Sequence, residues 1–219
     1  MARGKTIRSG AAVLLALCSN AATQPPRVWL EPVQIPVNAK DKTPAGAAVT
    51  RVMEIKLMLE AGSAPVEVHT LSGVMPRLRD AQGKDVVLGD WRAVAGFAPP
   101  QRPPPPQPPL APGKRHVVCS YTVVRRAEGG YHLLAPYGGA DLPAGSYVIT
   151  AGLDLTPTTR EMWTAQFRAG VDRPTRRPDG SKASDDPEQE AQRYAAHFAT
   201  VDGFFKGRVE TPELAFTLR

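Results

Sequence analysis

The sequence predicts an all-β fold, two antiparallel sheets packed face to face, with one helix inserted before the last strand. Three observations carry this. Apolar residues alternate with polar ones in several separate runs, the mark of half-buried strands. Strands do not alternate with long helices, as a parallel sheet would require. Turn residues punctuate the runs at short intervals.

The elements follow in order. Trp29, Val33, Ile35 and Val37 mark a first strand, broken at Pro32. Met53, Ile55, Leu57 and Leu59 alternate with Glu54, Lys56 and Glu60 in a second. The stretch from Ala61 to Pro65 is a turn, and Val66 and Val68 start another strand. Asp80 to Gly83 is a turn, and Val86 to Trp91 is the strand it introduces. Val117 to Val124 is a strand in which Val117, Cys119, Tyr121 and Val123 face inward. Tyr147, Ile149, Ala151 and Leu153 form the inner face of the next, and Leu214, Phe216 and Leu218 close the chain. Glu161 to Phe167 fits neither period, although Met162, Trp163 and Phe167 mark it as partly buried.

One helix has start and stop signals. Asp186 caps it, Pro187 suits its first turn, and Glu188 complements the positive end of the dipole. Ala191, Tyr194, Ala195 and Phe198 recur at three- and four-residue steps, and Gly203 ends it. The preceding stretch is polar and rich in Pro and Gly. Loop and helix together read as an insertion over 172–203 that lies against the sandwich.

The first 21 residues read as a secretory signal. Arg3, Lys5 and Arg8 precede the apolar run Ala11 to Leu17, and small residues follow at Ser19, Ala21 and Ala22. Cleavage after Ala21 leaves a single domain over 22–219. Leu15-Ala16-Leu17-Cys18 also resembles a lipoprotein box, in which Cys18 is lipidated, but Leu17 stands where a small residue is usual. The apolar run is too short to span a bilayer, which takes about 20 residues. The expected location is therefore periplasmic or extracellular, with anchoring through Cys18 the alternative. Cys119 is then left without a partner for a disulfide, and a buried unpaired Cys behaves as a small hydrophobe.

The net charge of +6 does not point to nucleic acid. Setting aside the three cations of the signal leaves 24 basic against 21 acidic side chains. The basic groups at Arg125-Arg126 and Arg173 to Arg177 are short and lack interleaved aromatics, so solvated loop charge explains them.

Nine of the 23 prolines lie between Pro99 and Pro112. Their rings fix φ and remove amide donors, so the loop 97–112 is extended and cannot join a central strand. It reads as an exposed stiff spacer. Arg102, Pro105 and Pro108 have the spacing of a ligand for aromatic-lined grooves, a pattern that so many prolines satisfy by chance.

Leu142-Pro143-Ala144-Gly145-Ser146-Tyr147 resembles the tyrosine corner of Greek-key sandwiches, a folding feature in which the ring packs inward and the hydroxyl bonds back to the turn. Together with Leu110-Ala111-Pro112-Gly113-Lys114, the strand 117–124 and the hairpin Arg77 to Val86, this turn resembles bacterial immunoglobulin-like domains. The BsuPI-type proteinase-inhibitor domain is one of them. The resemblance spans roughly residues 50–155. It implies an immunoglobulin-like antiparallel β-sandwich and suggests proteinase inhibition as one activity. No inhibitory motif is matched, so no reactive residue follows from it.

Catalytic and metal motifs do not stand out. His69, His116, His132 and His197 lack metal-ligand spacing, and the Asp179 to Asp186 oxygens lack calcium-loop order. No nucleophile elbow, phosphate loop or dinucleotide fingerprint occurs, and no cofactor is expected. The segment Tyr131 to Gly139 reads as an aromatic, Gly-rich loop, where a rigid sandwich commonly carries binding. Tyr131, His132 and Tyr137 are its candidate contact residues. The sequence thus points to an exported, non-enzymatic protein that binds a protein or glycan of the cell envelope. A proteinase inhibitor and an enzyme of unrecognised class are the alternatives.

Overall fold

A computed structural model describes residues 24–33, 35, 40–42, 48–68, 74–90, 102–127, 129–136, 138–170 and 186–219. The signal segment, Cys18, Tyr137 and most of the loop before α2 lie outside them. Among the described residues the strands are β1 (Arg27–Val33), β2 (Lys40–Lys42), β3 (Ala48–Glu60), β4 (Val74–Asp80), β5 (Asp85–Val86), β6 (Gly89–Asp90), β7 (Arg115–Arg125), β8 (Tyr131–Ala135), β9 (Gly138–Leu142), β10 (Gly145–Asp154), β11 (Arg208–Glu210) and β12 (Leu214–Leu218). The helices are α1 (Arg160–Ala169), α2 (Pro187–Gln192) and α3 (Ala195–Phe198), followed by a 3₁₀ turn at Val201–Gly203.

Two antiparallel sheets form the predicted sandwich. The larger runs β1-β3-β7-β8-β9-β6, with β2 also on β3, and the smaller runs β11-β10-β4-β5, with β12 also on β10. One core fills the space between them. The larger sheet contributes Ile55, Leu57, Leu59, Tyr121, Val123 and Leu133, and the smaller contributes Leu78, Tyr147, Ile149, Leu153 and Leu218. Each fully buried aliphatic side chain contributes about 1.5–3 kcal/mol. The strict alternation of β3 and β10 is what places these residues on one face.

Sequence and structure agree at the strongest signals. Ile55, Leu57 and Leu59 are fully buried. The Tyr147 hydroxyl donates to the Pro143 carbonyl at 2.8 Å, completing the corner, and its ring stacks on Phe216 with centroids 5.6 Å apart. The Asp80 carboxylate accepts from the amides of Gln82 and Lys84 at 3.0 and 2.9 Å, and Gly83 takes φ +76°, closing the β4–β5 hairpin.

Several elements differ. β1 runs through Pro32, which is tolerated because β1 is an edge strand and needs no amide there. Its buried residues are Val28 and Leu30, while Trp29 lies on the opposite face with the Arg115 guanidinium 5.6 Å above its ring. Val66 makes an isolated bridge, to Leu110, and starts no strand among the described residues. Val86 to Asp90 is no single strand, and Trp91 lies outside the described residues. β5 pairs in the smaller sheet and β6 in the larger, so the chain changes sheets at Val87-Leu88. Val117 is exposed and Val118 buried, because the β3–β7 register shifts between Leu57 and Met58. Tyr131 to Gly139 is a hairpin, not a loop, since β8 and β9 pair from Tyr131↔Leu142 to Ala135↔Gly138.

The helical region is larger than the 172–203 insertion and starts at Arg160. α1 is capped by Thr159, whose hydroxyl accepts from the Met162 amide at 3.3 Å. Asp186 caps α2 as expected, accepting from the Glu188 amide at 2.9 Å. The helix read over Asp186 to Gly203 is interrupted at Arg193–Tyr194, where Tyr194 leaves helical geometry at φ −104°, ψ 17°.

Candidate functional site

The candidate loop residues do not come together. Tyr131 and His132 are neighbours on β8, so the pleat sends them to opposite faces. Tyr131 is in the core. Its hydroxyl accepts from the Arg125 guanidinium at 2.9 Å and donates to the backbone oxygen of Arg219, fastening the end of the chain. It is therefore a structural tyrosine and no surface contact. His132 lies on the outer face. Its Nδ1 meets Asp141 Oδ1 at 2.6 Å directly across the β8–β9 pair, and Arg126 reaches the same carboxylate oxygen at 2.6 Å. The His132 contact, with Arg126 beside it, holds the Asp141 carboxyl below its usual range. Asp141 is well exposed, so this cluster contributes little to stability. Tyr137 lies outside the described residues.

Cys119 points into the core, and burial pushes its thiol above the usual value, the opposite of what a nucleophile needs. Burial also raises the Tyr121 hydroxyl beside it. Among the described residues no group of three His, Cys, Asp or Glu side chains is arranged to hold a metal ion. None of the described helices is long and apolar enough to cross a membrane. A trough on the outer face of the smaller sheet is lined by Arg77, Arg79, Thr150, Arg208, Glu210 and Glu213. Its charges are largely matched, with Arg79 on Glu213 and Arg208 on Glu210.

The most developed arrangement lies where the Pro-rich segment meets the helices. α1 presents Trp163 and Phe167 on one face, four residues apart, and both are buried with Ala191 of α2. Tyr194 and Phe198 complete the cluster, which is separate from the main core. Ring centroids lie 5.0 Å apart for Trp163–Phe167, 5.7 Å for Trp163–Tyr194 and 6.2 Å for Trp163–Phe198. The interruption at Tyr194 is what lets two short helices wrap one tryptophan. Outside the cluster, the Glu188 carboxylate accepts from Arg160 at 3.2 Å and Arg168 at 2.8 Å, tying α2 to α1.

The described part of the Pro-rich segment is largely exposed or half-buried, as its composition suggests, but it is seated at its start. Pro103 is buried. The Trp163 indole N–H donates to the Pro104 carbonyl at 3.2 Å, and the Arg102 guanidinium sits 4.3 Å above the Phe167 ring centroid. A polyproline II segment satisfies none of its carbonyls internally, so an indole donor suits it well. Pro104, Gln107 and Pro108 are exposed, which leaves an outward ridge along the segment. Leu110 then fixes its far end, exchanging backbone hydrogen bonds with Val66 at 2.8 and 3.0 Å.

Residues 65–67 join this surface to the sandwich. The Pro65 carbonyl accepts from the Phe205 amide at 2.9 Å. Buried Glu67 accepts from the Thr158 amide at 2.9 Å, just ahead of α1, and its carboxylate lies 3.8 Å from Nε2 of His197 on α3. Phe198 and Phe204 pack edge-on to the His197 ring. Glu67 and the backbone of residues 65–67 thus tie the helical region to the sandwich, and Phe205 packs on the main core beside them.

Neither the candidate residues of β8 nor the charge pattern pointed to this surface. Thr159 as a cap, Gly170 as a stop and the Trp163–Phe167 spacing are sequence signals that identify α1. The match between Trp163 and Pro104 has no local signal, because the two are 59 residues apart. The chain matches no known protein family, curated protein or solved structure.

Proposed function

We propose that the chain is an exported, non-enzymatic binding protein of the cell envelope, and that a protein partner meets it on the ridge formed by the Pro-rich segment and the helices beneath it. The observation that carries the reading is the docking of Arg102–Pro104 on Phe167 and Trp163. A proline segment alone is already stiff. Seated on an aromatic cluster and tied at Leu110, it loses little further freedom when a partner binds its outward side, which favours association. Export rests on the basic, apolar and small residues of the first 22 positions. The inhibitor reading calls for a protruding, rigid loop held in extended form; the Pro-rich segment is its one candidate, and no inhibitory motif supports it. An enzyme reading calls for polar groups converging in a deep pocket; the trough on the smaller sheet has its charges largely matched, Arg79 on Glu213 and Arg208 on Glu210, and supports that reading less.

The test is a photo-crosslinking residue placed at exposed Gln107 in the full chain, produced in its own cell and followed by fractionation. The expected result is a processed chain in the envelope fraction with a defined protein adduct. An unprocessed cytoplasmic chain without an adduct would overturn the proposal.

A further inference from the structure

The contacts under the Pro-rich segment have the form of a peptide-recognition site. The indole of Trp163 reads a carbonyl, the face of Phe167 takes a cation, and Pro103, between the two contacts, is buried. Each contact engages a property of the tripeptide Arg-Pro-Pro itself, and none requires that the tripeptide belong to this chain. Aromatic surfaces with a tryptophan donor are a general solution for binding polyproline II segments, whose shape exists before binding. The cluster is also distinct from the main core, so its aromatic residues are not needed to close the sandwich.

We propose that α1, α2 and α3 form a recognition site for polyproline II peptides containing Arg-Pro-Pro. Arg102–Pro104 occupy it in cis, and an Arg-Pro-Pro segment of a partner protein enters by displacing them. The inference goes beyond the ridge reading, in which the seated segment is itself the contact surface; here the segment is what an Arg-Pro-Pro partner displaces. Tethering gives the cis segment an effective concentration on the order of millimolar, so a free peptide competes poorly until the segment is unseated.

The experiment uses the full chain and the capped peptide Arg-Pro-Pro-Pro-Pro-Gln, with the Trp163 indole signal followed by NMR and assigned by its loss in Trp163→Phe. The doubly substituted chain Pro103→Gly/Pro104→Gly, with its cis segment unseated, is expected to bind the peptide at least tenfold more tightly than the unaltered chain. A peptide with Ala in place of Arg binds more weakly, and adding Trp163→Phe to the unseated chain weakens binding severalfold, read from the peptide's own signals. Should the double variant fail to fold, Arg102→Glu weakens the cis contact without altering the backbone and is read in the same way. A folded, unseated chain whose indole signal ignores millimolar peptide overturns the proposal, as does an affinity, read from the peptide's own signals, that Trp163→Phe leaves unchanged. Self-association with rising protein concentration, in place of peptide binding, also overturns it by making a second copy the occupant. The peptide test involves neither export nor the envelope, so its failure leaves the crosslinking test of the broader reading intact.

Discussion

The indole N–H of Trp163 donates to the carbonyl oxygen of Pro104 at 3.2 Å, joining the helical region to a proline segment 59 residues earlier in the chain. That contact turns two features that look separate in the sequence into one surface. It also makes Trp163 the residue whose replacement says most about the arrangement.

Trp163→Phe keeps most of the aromatic volume but removes the donor. The expected cost is about 1 kcal/mol, the net value of one hydrogen bond. Trp163→Ala adds a cavity and costs about 3–5 kcal/mol. Urea unfolding of the two variants beside the unaltered chain checks both figures.

Arg102→Ala removes the cation above Phe167. The expected loss is about 0.5–1 kcal/mol, and combined with Phe167→Leu the effects should be less than additive. A double-mutant cycle by chemical denaturation measures the coupling.

Gly62 is required by close approach. A β-carbon there would lie 1.9 Å from the Gln24 carbonyl oxygen, which also accepts from the Ser63 amide at 2.9 Å. Gly62→Ala forces backbone apart and is expected to cost about 1–3 kcal/mol. Faster amide exchange at Ser63 and along β1 would locate the damage.

Alkaline pH should destabilise the fold through its buried acids. Burial raises the Cys119 thiol and the Tyr121 and Tyr147 hydroxyls above their ordinary values of 9.0 and 10.0. Their contribution is complete below about pH 9 and is lost as pH rises, because the unfolded chain releases these protons first. Above about pH 10, Tyr121→Phe is expected to lose stability less steeply than the unaltered chain, by about 1.4 kcal/mol per pH unit. Denaturation midpoints at pH 7, 9 and 10.5 test the difference.

Much of the sandwich was legible because its strands carry their own signal. Ile55, Leu57 and Leu59 alternate strictly, and Tyr147 follows its turn as a corner tyrosine must. Legibility failed where tertiary context overrides local pattern. Val117 looked inward until a register shift placed Val118 there, and β1 tolerates Pro32 only because it lies at an edge, which no local pattern reveals. Tyr131 to Gly139 looked like a loop because it combines aromatics with glycines, yet Tyr131, Leu133 and Ala135 already alternate as a strand. The candidate surface was half legible. The extended proline segment could be read directly, but its contact with aromatic residues could not, because those residues lie about 60–95 positions later and only folding brings them together.

The most direct test of the central claim is hydrogen exchange at the Trp163 indole in the full chain. An indole bonded to the Pro104 carbonyl and enclosed by Phe167, Tyr194 and Phe198 should exchange far more slowly than a free tryptophan, and Pro103→Gly/Pro104→Gly should abolish the protection while the amides of β3 and β7 stay protected. Exchange at the free rate in the unaltered chain, or protection that persists in the double variant, would contradict the docking of the proline segment on the helices.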